Sequence, residues 1–400
     1  MKIDKNTSHP IEPSLFSLEE YNYLLPEELI AQEAIHPHHD SRVIVIDKNT
    51  GGIKTESTFW NLDTIIPPDR VMFLNNSRVL PARIPLKGVE ISREDGTKST
   101  IQNGEILFCK MLQDDRFEAM VRPGAKFRKN TKIHFPEGDL KVIEMSDTGR
   151  ILKAEGVSIF EIMKQYGELP LPPYIEYTKS KEEDYQTTFA KKEGSVAAPT
   201  ASLHFTQELL AKLPIEKKYV TLHVGLGTFK GIDTDDVRDY QIHGELIEVD
   251  ISLFSEIYAL RRLEKKILAI GTTVCRTLES LPHIWNHLTE IQKDIFPEGV
   301  RNFWNGLTEN LTSEGVISDI HIGKESIIFE SRIYIYPGIR FLLVDDLITN
   351  FHLPKSSLLV LISAFLGKEN TQRIYEYAIK GRYRFFSFGD GMYIQSESDH

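Results

Sequence analysis

The chain has 400 residues, 41% hydrophobic and 26% charged, which is enough for two domains with separate cores and excludes wholesale disorder. Asp and Glu outnumber Lys and Arg by 58 to 47, a formal charge of −11, so no global positive field gathers nucleic acid. Any RNA partner must be held by local basic patches.

The opening MKIDKNTSHPIEPS is polar and lacks an apolar core, so no secretory signal is expected. SLEEYNYLLPEELIAQ reads as a capped turn and a short helix opened by Pro26. RVIVID is a strand that returns through the Asn49–Gly52 turn into Ile53–Phe59 as a hairpin or a tight strand connection, and Val71–Leu74 is a further buried strand. It leads into NNSRVLPAR, where Arg78 and Arg83 flank Pro81.

From about Ile84 to Ala154 short apolar segments such as EILFCKML, RFEAMV and LKVIEM alternate with turn residues at Asn103-Gly104, Pro123-Gly124 and Thr148-Gly149. Closely spaced strands without a helical period predict a small β-barrel or sandwich. The fold class expected is α/β, with a main domain at 1–76 and 155–400 interrupted by an inserted all-β barrel at 77–154. Lys126, Arg128, Lys129 and Lys132 in that insert form a basic group suited to phosphate or to plain solvation.

VSIFEIMKQYG has helical spacing, and the prolines of ELPLPPYI then force an extended path. Next comes the stretch on which the functional reading centres, GSVAAPTASLHFT, Gly194 to Thr206. Its small residues let backbone approach a ligand, Pro199 fixes the path, Thr206 caps the next helix, and His204 stands beside this floor with a pKa expected near the working pH. The strand YVTLHV runs into GLGTF, whose glycines lack the rest of a dinucleotide fingerprint. In DYQIHGELIEVD, His243 and Glu245 are two residues apart on an expected strand and so on one face, a pairing suited to proton transfer.

Ser252–Lys266 reads as an amphipathic helix and KILAIG as a buried strand. TTVCRTLESL is then a helix whose start offers free N–H groups beside Thr272 and Thr273. His283–Gly323 reads as irregular and RIYIYPG as a strand. FLLVDDLITNFHLP gives another strand, and SSLLVLISAFLG is a buried helix with a serine cap. Its apolar run, Leu358–Leu366, is too short to cross a bilayer. A last helix, Glu369–Ile379, ends in KGRYRFFSFGDGMYI. Cys109 and Cys275 form no C-x-x-C, which fits a reducing cytoplasm, and the 13 histidines show no H-E-x-x-H spacing, so no metal is expected.

Together LPEELIAQ, LNNSRVLPAR, GELPLPPYI, YQTTFAKKEGSVAAPTASLHFT, YVTLHVGLGTF, IHGE, IGTTVCRTLES, YIYPG, VDDLITNFHLPKSSLLVLISAFLG and YRFFSFGDGM resemble the S-adenosylmethionine:tRNA ribosyltransferase-isomerases of queuosine biosynthesis. The resemblance implies an α/β domain interrupted by a β-barrel. It also implies a transferase-isomerase that moves the ribosyl part of S-adenosylmethionine onto 7-aminomethyl-7-deazaguanine at the tRNA wobble position. The product is epoxyqueuosine, and adenine and methionine leave. S-adenosylmethionine is then a co-substrate rather than a tightly bound cofactor, the partner is a tRNA with a GUN-type anticodon, and the setting is a cytoplasmic, monomeric protein.

Such chemistry needs one base for the proton beside the sulfonium and another for the attacking amine. His204, His223, His243 and Glu245 are the residues favoured for it. Arg78, Arg83, Arg276, Arg382 and Arg384 suit the methionine carboxylate or tRNA phosphates, because guanidinium pairs with both in a bidentate manner. Ser195, Pro199, Thr200, Gly225, Gly227, Thr272, Thr273, Asn350, His352 and Asp390 complete the expected substrate contacts. Tyr383, Phe385 and Phe386 are either base-stacking rings or core.

The sequence departs from the family pattern at Asn76 (Asp in the family), Asp184 (Arg), Tyr240 (His), Ser202 (Gly) and the His38-His39 pair (Arg-Asp), and in the length of the segment before YIYPG. These changes keep open a silent or acceptor-switched homologue that binds S-adenosylmethionine or tRNA.

Overall fold

The computed structural model describes residues 13–146, 149–225, 227 and 231–397. The opening segment up to residue 12, the turn at Thr148, and Leu226, Thr228 and Phe229 of GLGTF lie outside the described residues.

Two β-sheets dominate. The larger has ten strands in the spatial order Ile317–Ile322, Ser326–Ser331, Glu245–Asp250, Glu216–His223, Arg70–Asn75, Lys266–Ile270, Asp346–Asn350, Gly391–Gln395, Arg42–Asp47 and Ile53–Thr58. Its centre is parallel: Arg70–Asn75 pairs in parallel with Glu216–His223 and with Lys266–Ile270, which pairs in parallel with Asp346–Asn350. These central strands are buried on both faces, as the apolar runs VMFL and ILAI suggest.

The second sheet holds eight antiparallel strands drawn wholly from Arg83 to Glu155, curled around a core that includes Ile84, Ile106, Phe117, Leu140 and Leu152. Burial alternates along Gly104–Met111, so one face of each strand points inward, as the barrel expectation requires. Helix Ile159–Tyr166 closes the end of this region and begins with a capping box between Ser158 and Glu161.

Several elements differ from the sequence expectation. The segment around Pro26 forms one turn of 3-10 helix, Glu27–Leu29, because Ile30 and Ala31 are drawn out to bridge the chain at Phe385. The stretch His283–Gly323 is regular: helix Thr272–His287 takes in its first residues, helix Glu298–Thr308 follows, and Ile317–Ile322 is an edge strand. The apolar signal there was helical, since Trp285 and Trp304 stack at 5.8 Å and both bury fully in the core. RIYIYPG forms no strand; Ile333 and Ile335 bury alternately while the backbone joins no ladder. Among the described residues no helix is long and apolar enough to cross a membrane.

Candidate ligand-binding site at the strand ends

The parallel strands end at Asn75, His223, Ile270 and Asn350, at one end of the large sheet. A crevice outside the carboxyl ends of the strands is the usual ligand position in open α/β sheets. The crevice is lined by Ala197–Ala201, Gly271–Thr273, Thr349–Leu353 and the Phe386-Ser387 pair, with Tyr174 and Ser356 at its sides.

Each wall is held by identifiable bonds. The floor is tied to the neighbouring strand by Ser195, whose hydroxyl donates to the Ala197 carbonyl at 2.8 Å and accepts from the Val224 N–H at 2.9 Å. Gly271 adopts φ +88, a conformation open to glycine at little cost, and this turns the strand directly into the 16-residue helix Thr272–His287. The start of that helix lines the crevice; its first N–H groups have no partner within the helix, and the Thr273 hydroxyl beside them is buried without a partner.

Asn350 ends its strand and lines the crevice, accepting from the Thr200 hydroxyl at 3.0 Å. Its amide nitrogen lies 3.1 Å from Nε2 of His204. An amide N–H donates, so Nε2 accepts and the His204 proton sits on Nδ1. The His204 ring stacks on Phe59 at 4.0 Å, behind the wall rather than on it. Burial pushes its pKa down to about 3, so the expectation of a pKa near the working pH is corrected: His204 is neutral and acts on the crevice through Asn350.

His352 does line the crevice. Its Nε2 sits 2.9 Å from the Thr349 hydroxyl, its backbone N–H donates to the Tyr375 hydroxyl at 3.0 Å, and burial also lowers its pKa to about 3. Tyr174 closes the side with its hydroxyl 2.8 Å from that of Ser387, and burial raises its pKa to about 12. Among the described residues no carboxylate or cation lines the crevice, so hydroxyls, one amide, one imidazole and a helix start supply the polar contacts between apolar walls.

Of the expected site residues, Pro199, Thr200, Thr272, Thr273, Asn350 and His352 come together on this crevice. Others lie elsewhere. Glu245 and Arg276 form an ion pair buried in the core, and Arg276 Nε donates to the Ile333 carbonyl at 3.2 Å, so neither faces the crevice. His243 is exposed and precedes the strand that begins at Glu245, so the two do not share a strand face. His223 stands at its strand end against Gly194, with Nδ1 buried and without a partner; a Cβ on Gly194 would sit 2.7 Å from its ring. Gly225 and Gly227 lie just beyond that strand.

Arg78 is exposed and donates to the Ala190 carbonyl at 2.9 Å, while Arg83 donates to Glu105 at 2.8 Å. Arg382 is exposed, and Asp390 is buried, accepting from the backbone N–H groups of Arg42 at 3.0 Å and Arg384 at 2.9 Å. Arg384 stacks no charge into the crevice; it lies 3.7 Å from Asp390 and donates to the Glu33 carbonyl at 3.1 Å. Tyr383 is buried under the Arg42 guanidinium, 3.5 Å from its ring centre, and Phe385 is core, so neither is open to a base; Phe386 lines the crevice.

Tyr174, Ser356 and Ser387 escape a sequence reading because nothing local marks them. The triple-proline path of ELPLPPYI, which delivers Tyr174, is the one signal that points there. A larger hollow of about 450 Å³ lies between Glu20–Leu24 and the last two helices, against about 80 Å³ for the crevice. The convergence of strand ends, unpaired helix N–H groups and a buried orphan hydroxyl singles out the smaller one, since volume alone carries no chemistry.

A neutral, hydroxyl-lined crevice at the carboxyl ends of parallel strands places this chain among α/β proteins and suits a small polar ligand against apolar walls. Comparison with known proteins makes this specific. The chain belongs to the queuosine biosynthesis protein family, whose pattern matches residues 18–394. It is 40% identical over 384 residues to the S-adenosylmethionine:tRNA ribosyltransferase-isomerase of Halothermothrix orenii, covering 94% of this chain and 99% of that one. To the protein of the same name from Carboxydothermus hydrogenoformans it is 38% identical over 383 residues, covering 94% of this chain and 99% of that one. The solved S-adenosylmethionine tRNA ribosyltransferase of Thermotoga maritima is 28% identical, with 94% of this chain and 99% of that chain covered and a TM-score of 0.47.

Proposed function

We propose that this protein is an S-adenosylmethionine:tRNA ribosyltransferase-isomerase. It transfers and isomerises the ribosyl moiety of S-adenosylmethionine onto 7-aminomethyl-7-deazaguanine at the tRNA wobble position, giving epoxyqueuosine and releasing adenine and methionine. The observation that carries this reading is the 40% identity, over 94% of this chain, to a protein of that name, and the crevice agrees with it chemically. A nucleoside presents a flat ring and hydroxyls, which apolar walls and Thr, Ser and Asn side chains suit. S-adenosylmethionine enters as a co-substrate.

Within the crevice, His352 is the group we assign to proton handling. It is neutral at working pH and faces the ligand space, whereas Glu245 is tied to Arg276 and His243 lies outside. His204 is a positioning residue that orients Asn350. The helix start at Thr272 and Thr273 receives an anionic or hydroxyl edge of the substrate. The segment 77–154 is an inserted barrel domain, with Lys126, Arg128 and Lys129 as its phosphate-facing group; Lys132 is instead engaged with Glu155 at 2.7 Å. Substrates are tRNAs with GUN-type anticodons, and the protein works as a cytoplasmic monomer.

Two of the departures from the family pattern are accommodated by local bonding. Asn76 accepts from the Thr221 hydroxyl at 2.7 Å outside the crevice, and Tyr240 packs edge-on to Tyr334 at 5.5 Å in the core. Neither removes a lining group, which favours the active enzyme.

The test is to incubate the purified protein with S-adenosylmethionine and tRNA carrying the deazaguanine precursor, following adenine, methionine and the wobble nucleoside by mass spectrometry. Adenine release with an epoxyqueuosine mass is expected. A folded protein that releases no adenine would overturn the reading, and adenine release with an unchanged nucleoside would move it to another acceptor.

A further inference from the structure

Three of the positions that depart from the family pattern or adjoin it meet in space. His36 Nε2 lies 3.3 Å and His38 Nε2 3.1 Å from the same oxygen, Oδ1 of Asp184. All three ligand-type atoms fall within 4.8 Å of one another. His38 Nδ1 lies 3.0 Å from the Leu203 carbonyl oxygen, which can accept and cannot donate. Nδ1 therefore carries a proton, which leaves Nε2 as the ring atom that faces the carboxylate oxygen. At 3.1 Å the two atoms are held together by a positive centre between them, a proton on Nε2 or a metal cation bound to its lone pair.

We propose that His36, His38 and Asp184 form a divalent metal site of the zinc type. Zinc–nitrogen and zinc–oxygen bonds of about 2.0–2.2 Å at tetrahedral angles separate neighbouring ligand atoms by roughly 3.3–3.5 Å. The observed separations of 3.1 and 3.3 Å match that edge. Two imidazoles and a carboxylate suit a d-block cation rather than calcium or magnesium, which want more oxygens. The Nδ1–H of His38 donating to a carbonyl is the outer bond that ordinarily fixes a metal-bound histidine. The side chain of His36 is 66% exposed, while those of His38 and Asp184 are 17% and 19% exposed, so the cation enters from solvent and keeps an open outward position.

The site has a structural consequence. His38 and Asp184 belong to segments far apart in sequence, and His38 is bonded to the backbone of the short helix Thr200–His204, whose start lines the crevice. His39 adds a second tie, with Nδ1 2.7 Å from the Thr206 hydroxyl. A bound cation clamps the 36–40 segment and the Lys181–Asp184 turn against the outer side of the crevice floor.

Metal-stripped full-length protein titrated with Co²⁺, followed by its visible absorption, and with Zn²⁺ by calorimetry, tests this directly. One equivalent of Co²⁺ is expected to bind with tetrahedral-type bands that Zn²⁺ displaces, and Zn²⁺ is expected to raise the unfolding temperature. His36→Gln and Asp184→Asn should each weaken binding by roughly tenfold or more, since even loss of an outer partner has that effect. His36 is exposed, so His36→Gln keeps the fold and circular dichroism will verify it. Absence of saturable binding, or stoichiometric binding unchanged in both variants, would overturn the proposal.

Discussion

The eight-stranded sheet and the crevice are built in opposite ways. In the sheet, Gly104–Met111 pairs with the next strand, Arg116–Arg122, and Gly138–Met145 with the next, Arg150–Glu155, so much of its geometry is set by turns a few residues long. The crevice instead takes Tyr174, Ala197–Ala201, Gly271–Thr273, Asn350, His352 and Ser387 from segments that meet through the parallel sheet alone. The first is stabilised by its own apolar core, and the second is positioned by bonds between neutral polar groups such as Ser195, Asn350 and Thr200. Stability and function are thus assigned to different regions, and perturbing one should leave the other measurable.

The largest effect is expected at the crevice. His352→Gln should lower kcat by roughly 100- to 10,000-fold, the usual contribution of a proton-transferring side chain, with the unfolding temperature changed little. Steady-state kinetics beside a thermal melt will check this. Loss of stability with near-normal kcat would make His352 a packing residue and blur the contrast.

Leu152→Ala probes the other region. Leu152 is fully buried in the core of the eight-stranded sheet, so the truncation should destabilise that region by about 2–5 kcal/mol. Activity assayed below the transition should stay within a factor of two or so of the parent if the regions are independent. A matching fall in kcat would show that they are coupled.

The smallest effect concerns pH. His204 and His352 have folded-state pKa values of about 3, depressed by burial from 6.5. Between those limits the unfolded chain binds more protons than the folded one. Stability is therefore lost as pH falls through 6.5 toward 3, with a slope of up to about 1.4 kcal/mol per pH unit for each ring. His283, lowered by burial to about 4, and His223, also lowered by burial, add to the same slope. Urea unfolding at pH 7, 6 and 5 will measure it, and His352→Gln should remove about a quarter to a third of the histidine slope near pH 6. An unchanged slope in that variant would mean that the ring is not sealed from solvent.

Much of this is legible in the sequence. RVIVID with its Asn-Thr-Gly-Gly turn forms the expected hairpin, Thr206 caps its helix by accepting from the Leu209 N–H at 3.3 Å, and Ser356 does the same for Leu359 at 3.2 Å. The small residues between Gly194 and Thr206 mark the crevice floor by composition alone. Histidine is harder to read. Spacing puts His243 and Glu245 on one face, yet the strand starts at Glu245, and a buried guanidinium claims its carboxylate. A motif records which residue types are near in the chain and is silent on which charges will pair across the core.

The sequence by itself determined the element types, the β-rich middle, the small-residue floor and the family, because caps, turns and apolar alternation act over a few residues. Tertiary structure decided the rest. It buried His204 behind Asn350, brought His352 and Tyr174 to the crevice, locked Glu245 to Arg276 and set Asp184 against two histidines. Those outcomes depend on desolvation and on partners more than a hundred residues away in several cases, and neither quantity is written in local sequence.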